Sequence, residues 1–163
     1  MDCTFKTEMG NFNFRVAAII KDGSRVLLAR NPQEEREFYF SVGGRVKFGE
    51  STEEAVLREV KEETGVDCEI DRLACVHENF FTDDNGVPFH EISVFYFLKP
   101  NKELFNIASG HKTSGGPTHE EYLIWIDLEN SDGLTIYPDF YRTVDLDNLS
   151  SGHFISREIK ENK

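Results

Sequence analysis

The stretch that decides the fold is GRVKFGESTEEAVLREVKEETGV, residues 44–66. Its middle is predicted to be a helix, because Ser51 is a good N-cap and Glu54, three residues later, completes a capping box. Helical composition continues to Thr64, and Gly65 is placed to end the helix as its C′ residue. The sequence therefore predicts one well-capped helix in the first half of the chain.

Three carboxylates are predicted to share one face of this helix. Glu59, Glu62 and Glu63 fall at positions i, i+3 and i+4, whereas Val56 and Val60 occupy a different face and can pack on a sheet. Like charges at this spacing destabilise a helix unless something neutralises them. Mg²⁺ takes oxygen ligands and is typically held by one or two carboxylates together with substrate phosphates, and the segment contains no Cys or His that would favour zinc. The acidic face is therefore a candidate magnesium site.

Two charged residues are candidates for orienting these carboxylates. Arg58 can reach Glu62 or Glu54 at four-residue spacing. It can also lean towards Glu59, and in each case it adds a compensating charge. Glu50 lies just before the helix, where the helix dipole favours a carboxylate, so it can join the ligand shell of a metal or support that shell from outside.

The segment resembles the Nudix box, the signature of the MutT-like hydrolases. The pattern is a glycine, five residues, a glutamate, seven residues and then Arg-Glu-apolar-x-Glu-Glu-x-Gly-apolar, and no position of it is missed. The matching residues are Gly44, Glu50, Arg58, Glu59, Val60, Glu62, Glu63, Gly65 and Val66. The resemblance implies an α+β fold of the Nudix type, an α/β/α sandwich around a mixed β-sheet.

The resemblance also implies an activity. Members of the family hydrolyse a nucleoside diphosphate linked to another moiety, so we expect a pyrophosphohydrolase that cleaves a phosphoanhydride bond in a nucleoside triphosphate or a nucleotide sugar. Mg²⁺ is the implied cofactor, with Mn²⁺ as the alternative. Such an ion makes hydroxide accessible at neutral pH and offsets the charge that develops on the phosphates. The expected partner is a small-molecule nucleotide.

Individual residues receive roles from the same resemblance. Those that it assigns to the metal are Gly43, Glu59, Glu62 and Glu63, with Gly43 lending its backbone carbonyl. Gly43 and Gly44 also let the backbone turn sharply and approach a metal or phosphate. Glu50 and Arg58 take supporting or orienting roles in catalysis.

The general base is left open. A carboxylate must accept the proton of the attacking water, and within the box Glu62 or Glu63 could do so. In some family members the base comes from a later loop, and Glu120 and Glu121, just before a predicted strand, are the natural candidates here. Glu91 is a further candidate, because a carboxylate within an otherwise apolar strand needs a reason such as a site or an edge position.

Other cations and aromatic residues have two interpretations each. Arg15, Arg45 and Lys47 could contact phosphates, or they could be solvated surface cations. Phe80 and Phe81 could stack a nucleobase, although aromatic residues in strands more often form the core.

Around the box, the chain alternates between strand-like and helix-like periods. Residues 12–20 and 24–30 are predicted strands, and the Asp22-Gly23 turn between them predicts a hairpin. The other predicted elements are strands at 38–42, 67–81, 89–99, 122–128 and 153–159, a helix at 138–146 and a loop at 100–119. No boundary divides the chain, so residues 1–163 are expected to form a single domain.

The composition limits the classes of partner. With 30 acidic and 18 basic residues the net charge is −12, which argues against binding nucleic-acid polymers or an anionic membrane. No apolar run is long enough to suggest a membrane span, and no signal peptide is recognisable. The three cysteines cannot all pair, so we expect reduced thiols in a cytoplasmic protein.

A second class of function is a Nudix-fold sensor that binds a nucleotide without hydrolysing it. Three metal-binding carboxylates count against it, because a pure binding module has little need of them. An enzyme acting on capped or polymeric RNA is a third interpretation, which the absence of a basic stripe disfavours. Many family members look like dimers, so a homodimer is an open expectation, and the nucleobase and leaving group of the substrate stay open as well.

Overall fold

The fold is seen in a computed structural model that describes residues 1–113 and 120–158. The described strands are β1 (Thr4–Thr7), β2 (Gly10–Ile19), β3 (Lys21–Asp22), β4 (Arg25–Arg30), β5 (Tyr39–Ser41), β6 (Gly43–Arg45), β7 (Ile70–Thr82), β8 (Pro88–Leu98), β9 (His111–Lys112), β10 (Tyr122–Asp127), β11 (Ile136–Tyr137) and β12 (Gly152–Arg157). The described helices are α1 (Thr52–Thr64), α2 (Lys102–Phe105) and α3 (Phe140–Thr143), with a 3₁₀ turn at Leu128–Asn130.

The strands form two mixed sheets. The first has the order β1-β2-β8-β7-β12, with β6 beside β2, and the second has the order β11-β5-β4-β10-β9, with β3 beside β4. Strands β2 and β8, β7 and β12, and β5 and β11 pair in parallel, while the other pairs are antiparallel. The predicted α+β class with mixed sheet pairing is confirmed, and the strands are shared between two sheets.

Two buried clusters hold these layers together. Successive side chains of β2 point to opposite faces of the first sheet, so one face contributes Ala17 and Ile19 and the other Val16 and Ala18. Ala17 and Ile19 belong to a cluster that joins the first sheet to the second. Val16 and Ala18 belong to the cluster that contains the apolar side of α1. The helix is thereby fixed against β2.

Helix α1 begins and ends as predicted. The Ser51 hydroxyl accepts a hydrogen bond from the Glu54 backbone N–H (3.1 Å), and the Glu54 carboxylate accepts one from the Ser51 N–H (2.8 Å). At the other end Gly65 has φ of 77°, the left-handed conformation in which glycine carries no steric penalty. The capping box therefore sets where the acidic face starts.

The predicted hairpin is confirmed, but its first arm is short. Lys21 pairs with Val26 and Asp22 with Arg25 around Gly23, so only β3 and β4 form the hairpin. Strand β2 belongs to the first sheet, where it pairs in parallel with β8. Strand β2 ends at Ile19 and β3 begins at Lys21, and the two strands belong to different sheets.

The predicted helix at 138–146 is reduced to one turn. Helix α3 covers Phe140–Thr143, and Val144 is already extended. The side chain of Asp145 accepts a hydrogen bond from the Asp147 backbone N–H (3.0 Å), which offers the backbone a turn in place of a helix. The predicted strand at 153–159 is found as β12, and residue 159 lies outside the described residues.

The long predicted loop at 100–119 contains regular structure. Asn101 caps α2 through its side chain, and Leu104 of that helix is almost fully buried. Strand β9 then pairs with β10, while residues 114–119 lie outside the described residues. Strand β1 is an addition to the sequence prediction. Among the described helices none is long and apolar enough to cross a membrane, and Cys3, Cys68 and Cys75 are free thiols.

Candidate active site

Arg58 connects three carboxylates at the start of the acidic face. Its Nε donates to Glu50 Oε1 (2.6 Å) and its Nη2 to Glu50 Oε2 (2.9 Å), so this ion pair is bidentate. Its Nη1 lies 2.6 Å from Glu59 Oε1 and 3.3 Å from Glu62 Oε2. Arg58 therefore contacts Glu59 and Glu62, two of the three carboxylates that its spacing allowed, whereas Glu54 is engaged by the helix cap.

Glu50 holds Arg58 in place from the loop before α1. The hydrogen bonds from Arg58 lower the pKa of Glu50 to about 2, and a further bond from the Lys47 backbone N–H (3.0 Å) acts in the same direction. Arg58 also donates to the carbonyl oxygen of Arg45 (3.1 Å), which ties the helix to the end of β6. Glu50 is thus ionised and directed at Arg58, which favours a positioning role for it.

Glu63 is the buried member of the acidic face, with 7% of its surface exposed. Burial raises the pKa of Glu63 well above its usual range, and the charges of Glu121 and Glu59 raise it further. A backbone hydrogen bond from Gly43 and the charge of Arg15 lower the pKa but do not compensate. Among the described residues no donor reaches Glu63 Oε2. Glu63 therefore presents a buried oxygen with unused acceptor capacity.

The two glycines before the box allow the close packing of β6. At Gly43, φ is +153° and a Cβ would lie 2.2 Å from the Val16 carbonyl oxygen. At Gly44, a Cβ would lie 2.4 Å from the Glu59 carboxyl carbon. Glycine is required at Gly43, where the β2 backbone leaves no space for a side chain, whereas at Gly44 a side chain would displace the Glu59 carboxylate.

The cluster has the chemistry of a divalent cation site. Glu63 offers an unsatisfied oxygen, and its interactions with Glu59 and Glu121 are repulsive, which a cation would offset. As they stand, no three His, Cys, Asp or Glu side chains of the described residues form a ready-made metal cage. Mg²⁺ sites commonly use one or two carboxylates and complete their shell with water and substrate phosphates. The residues present fit such a partly open site.

The remaining candidates for the general base lie in different surroundings. Glu121 acts on Glu63 through its charge and so lies at the acidic face. Glu120, its neighbour, is half exposed and forms an ion pair with Lys112. Glu91 lies on the first sheet, within 3.9 Å of Arg15 Nε, and so borders the cluster without belonging to it.

The other sequence candidates have partners of their own. Arg45 lies 3.6 Å from Asp2, and Lys47 lies 3.9 Å from the acidic face at Glu62. Of the paired phenylalanines, Phe80 stacks on His90 (4.3 Å between ring centroids), which fits the interpretation of a sheet-face residue.

Sequence reasoning missed a set of polar side chains near the cluster. Asn13, Ser93 and His77 lie on three adjacent strands, and each is at most 6% exposed. Their signal was present in the sequence, because polar residues recur at every second position of these strands. The signal is visible only once the strand pairing is known.

Comparison with known proteins points to one family. The NUDIX domain matches residues 12–142, which is more than half of the chain. A putative nudix hydrolase of Caenorhabditis elegans is 41% identical over 76 residues, covering 44% of this chain and 21% of the relative. An ADP-ribose pyrophosphatase of Methanocaldococcus jannaschii is 36% identical over 84 residues, covering 51% of this chain and 48% of the relative. The matched part thus spans less than half the length of these relatives.

Solved structures share the fold. The crystal structure of a MutT protein from Bacillus halodurans has a TM-score of 0.59 at 19% identity, covering 89% of this chain and 90% of that one. A MutT NUDIX hydrolase from Burkholderia pseudomallei has a TM-score of 0.58 at 23% identity, covering 85% and 98%. The domain match over residues 12–142, together with the complete box, shows that the chain belongs to the Nudix family.

Proposed function

We propose that this protein is a Mg²⁺-dependent pyrophosphohydrolase that cleaves the diphosphate linkage of a nucleoside triphosphate or a nucleotide sugar. The observation that carries this proposal is Glu63, a buried carboxylate with an unpartnered oxygen beside two further carboxylates. Burying such a group without compensation is costly, and a divalent cation with a bound diphosphate compensates it.

The roles of the residues follow from their contacts. Glu59, Glu62 and Glu63 would hold the ion, which when bound supplies hydroxide at neutral pH and offsets phosphate charge. Arg58 fixes the positions of Glu59 and Glu62 through its hydrogen bonds. Glu50 fixes Arg58 in turn.

Glu121 is the residue that we assign as proton acceptor for the attacking water. It lies beside Glu63, whose pKa its charge raises. A general base must lie within hydrogen-bond reach of the water that it deprotonates, and Glu121 directly precedes β10. Glu120 serves as its natural comparison, because it is adjacent in sequence and pairs with Lys112.

The named relatives support the class of substrate. The Methanocaldococcus relative is an ADP-ribose pyrophosphatase, and ADP-ribose is a nucleoside diphosphate linked to a sugar. An NAD-capped RNA hydrolase of Vibrio atlanticus is 36% identical over 52 residues, which cover 32% of this chain and 19% of the relative. Both names describe nucleoside diphosphates joined to another moiety, which is the class proposed here.

A hydrolysis screen tests the proposal. Nucleoside triphosphates, nucleotide sugars, ADP-ribose, dinucleotides and coenzyme A would each be incubated with Mg²⁺ and, in parallel, with a chelator. We expect at least one compound to be cleaved at its diphosphate, with no cleavage in the chelated sample. Binding of a nucleotide without cleavage of any compound would contradict the proposal and favour a sensor.

A further inference from the structure

The first sheet carries a polar face next to the acidic cluster. Asn13, Glu91, Asn79 and Ser156 oppose one another directly across β2, β8, β7 and β12. Two positions along the same strands, Arg15, Ser93 and His77 form a second row on the same side of the sheet. We call these seven residues the polar face.

Glu91 is the centre of the polar face. Asn13 Nδ2 donates to Glu91 Oε2 (3.3 Å) and Ser93 Oγ to Glu91 Oε1 (3.4 Å). The hydroxyl of Thr4 lies 2.8 Å from both the Phe12 backbone carbonyl oxygen and the side-chain oxygen Oδ1 of Asn13, so the amide oxygen of Asn13 faces Thr4 and its N–H groups face Glu91. A carboxylate has about four acceptor positions, so these two bonds leave Glu91 able to accept from a ligand.

Arg15 links this face to the acidic cluster. It pairs with Arg45 of β6, the strand whose Gly44 packs against the Glu59 carboxylate, and its Nε lies 3.9 Å from Glu91 Oε2. A diphosphate bound at the acidic cluster would therefore have Arg15 on the side that faces Glu91. The group joined to that diphosphate would continue over the polar face.

The charges of the polar face decide what that group can be. Burial lowers the pKa of His77, so its ring is neutral at pH 7, and it is hydrogen-bonded to Ser156 Oγ (2.8 Å). Apart from Arg15, the named side chains are then one carboxylate, two amides, two hydroxyls and a neutral imidazole. The one cation of the polar face, Arg15, already lies 3.9 Å from the Glu91 carboxylate, so an additional phosphate on the ligand would meet that carboxylate with no further positive charge among these seven residues.

We infer that the polar face binds the group joined to the diphosphate, that this group is uncharged, and that one of its hydroxyl or amino groups donates a hydrogen bond to Glu91. This inference rests on the proposed function and narrows its substrates to those without a further phosphate on that group. A sugar hydroxyl and a nucleobase amine share the donor chemistry.

Binding of reaction-product analogues tests the inference without turnover. The four nucleoside 5′-monophosphates, each paired with its counterpart carrying an additional 3′-phosphate, and ribose 5-phosphate would be titrated calorimetrically in Mg²⁺. We expect the tightest monophosphate to lose about tenfold or more in affinity when it carries the 3′-phosphate. Ribose 5-phosphate binding as tightly as that nucleotide would identify a sugar hydroxyl as the donor, whereas much weaker binding would identify the base.

Two variants of Glu91 separate its charge from its position. Glu91→Gln removes the charge, so it is expected to lower the affinity for the monophosphate about tenfold. It should also reduce the difference in affinity between the monophosphate and its partner with the 3′-phosphate. Glu91→Asp keeps the charge but shortens the side chain by one methylene. It should lower the affinity for the monophosphate, while the ligand with the additional 3′-phosphate should still bind more weakly than the monophosphate. Thermal unfolding of both variants checks that they are folded.

Glu78→Gln is the matched control. Glu78 precedes Asn79 in β7, faces the opposite side of the sheet and contacts His153 (2.9 Å), so its binding curves should equal those of the unmodified protein. Equal effects of Glu91→Gln and Glu78→Gln, equal binding of the paired ligands, or no binding of any monophosphate would overturn the inference. A protein that binds with this selectivity but hydrolyses nothing in the screen would contradict only the proposed function.

Discussion

Arg58 and Glu50 form a bidentate ion pair, and Arg58 in turn contacts Glu59 and Glu62 of the acidic face. Glu50 has a pKa of about 2 in the folded protein against an ordinary value of 4.5, because Arg58 stabilises its charged form. A lowered carboxylate pKa contributes stability that is fully present above the ordinary value and is lost as the pH falls towards the folded one. The pair should therefore stabilise the fold at neutral pH and cease to do so in acid.

Glu50→Gln tests this at the level of one residue. We expect the variant to lower the free energy of unfolding by about 2–3 kcal/mol at pH 7, and the difference from the unmodified protein to shrink between pH 4.5 and pH 2. Urea denaturation at a series of pH values measures both quantities. A difference that stays constant across this range would show that the ion pair does not set the pKa of Glu50.

Alanine substitutions at Gly44 and Gly49 compare the effect of a side-chain contact in the site with the effect of backbone strain outside it. Gly44→Ala would place a Cβ against the Glu59 carboxylate, so we expect hydrolysis to fall by about tenfold to a hundredfold with little change in stability. At Gly49, φ is +87° and no atom lies within 4 Å of an added Cβ. Gly49→Ala should cost about 1–2 kcal/mol of stability and leave the carboxylates in place. Steady-state kinetics measures the loss of hydrolysis in both variants, and thermal unfolding measures their loss of stability. Equal losses of activity would contradict the role of Gly44.

The N-terminal cap of α1 determines where the helix begins and therefore which residues form the acidic face. Ser51→Ala removes the hydroxyl that accepts from the Glu54 N–H, so we expect a loss of about 1 kcal/mol, or about 2–4 °C in the unfolding midpoint. Differential scanning calorimetry measures it. An unchanged midpoint would mean that the hydroxyl contributes nothing to the start of the helix.

Elements with local signals could be predicted from the sequence, and those set by distant contacts could not. Helix α1 was predictable because Ser51, Glu54 and Gly65 act within the helix itself. Helix α3 was overestimated because Asp145 forms a turn that composition does not reveal. The division into two sheets depends on β2 pairing with β8, which lies far along the chain, and hydrophobic period alone does not specify a pairing partner.

The same distinction applies to the candidate site. The contacts of Arg58 with Glu59 and Glu62 lie within one helix, so their spacing predicted them. The pair between Glu50 and Arg58 joins a loop residue to the helix, so helical spacing did not predict it. Whether Glu120 or Glu121 faces the cluster depends on the orientation of a strand end, which required the fold. The approach of Arg15 to Glu63 likewise depends on β2 lying beside β6.

At the scale of the whole molecule, the net charge of −12 opposes the approach of an anionic substrate. Hydrolysis should therefore depend strictly on a divalent cation that reverses the field at the acidic face. Because ionised Glu63 is buried and disfavoured, Glu63→Gln should fold at least as stably as the unmodified protein in the absence of metal.

The most direct measurement is the Mg²⁺ dependence of hydrolysis for the unmodified protein, Glu63→Gln and Glu120→Gln, on a compound that the screen shows to be cleaved. Glu120 is the matched control, because the same change there removes an exposed charge paired with Lys112. We predict saturable activation by Mg²⁺ in the unmodified protein and in Glu120→Gln, with turnover reduced more than about a hundredfold in Glu63→Gln. Normal turnover and normal Mg²⁺ dependence in Glu63→Gln would contradict the assignment of the acidic face as the catalytic metal site.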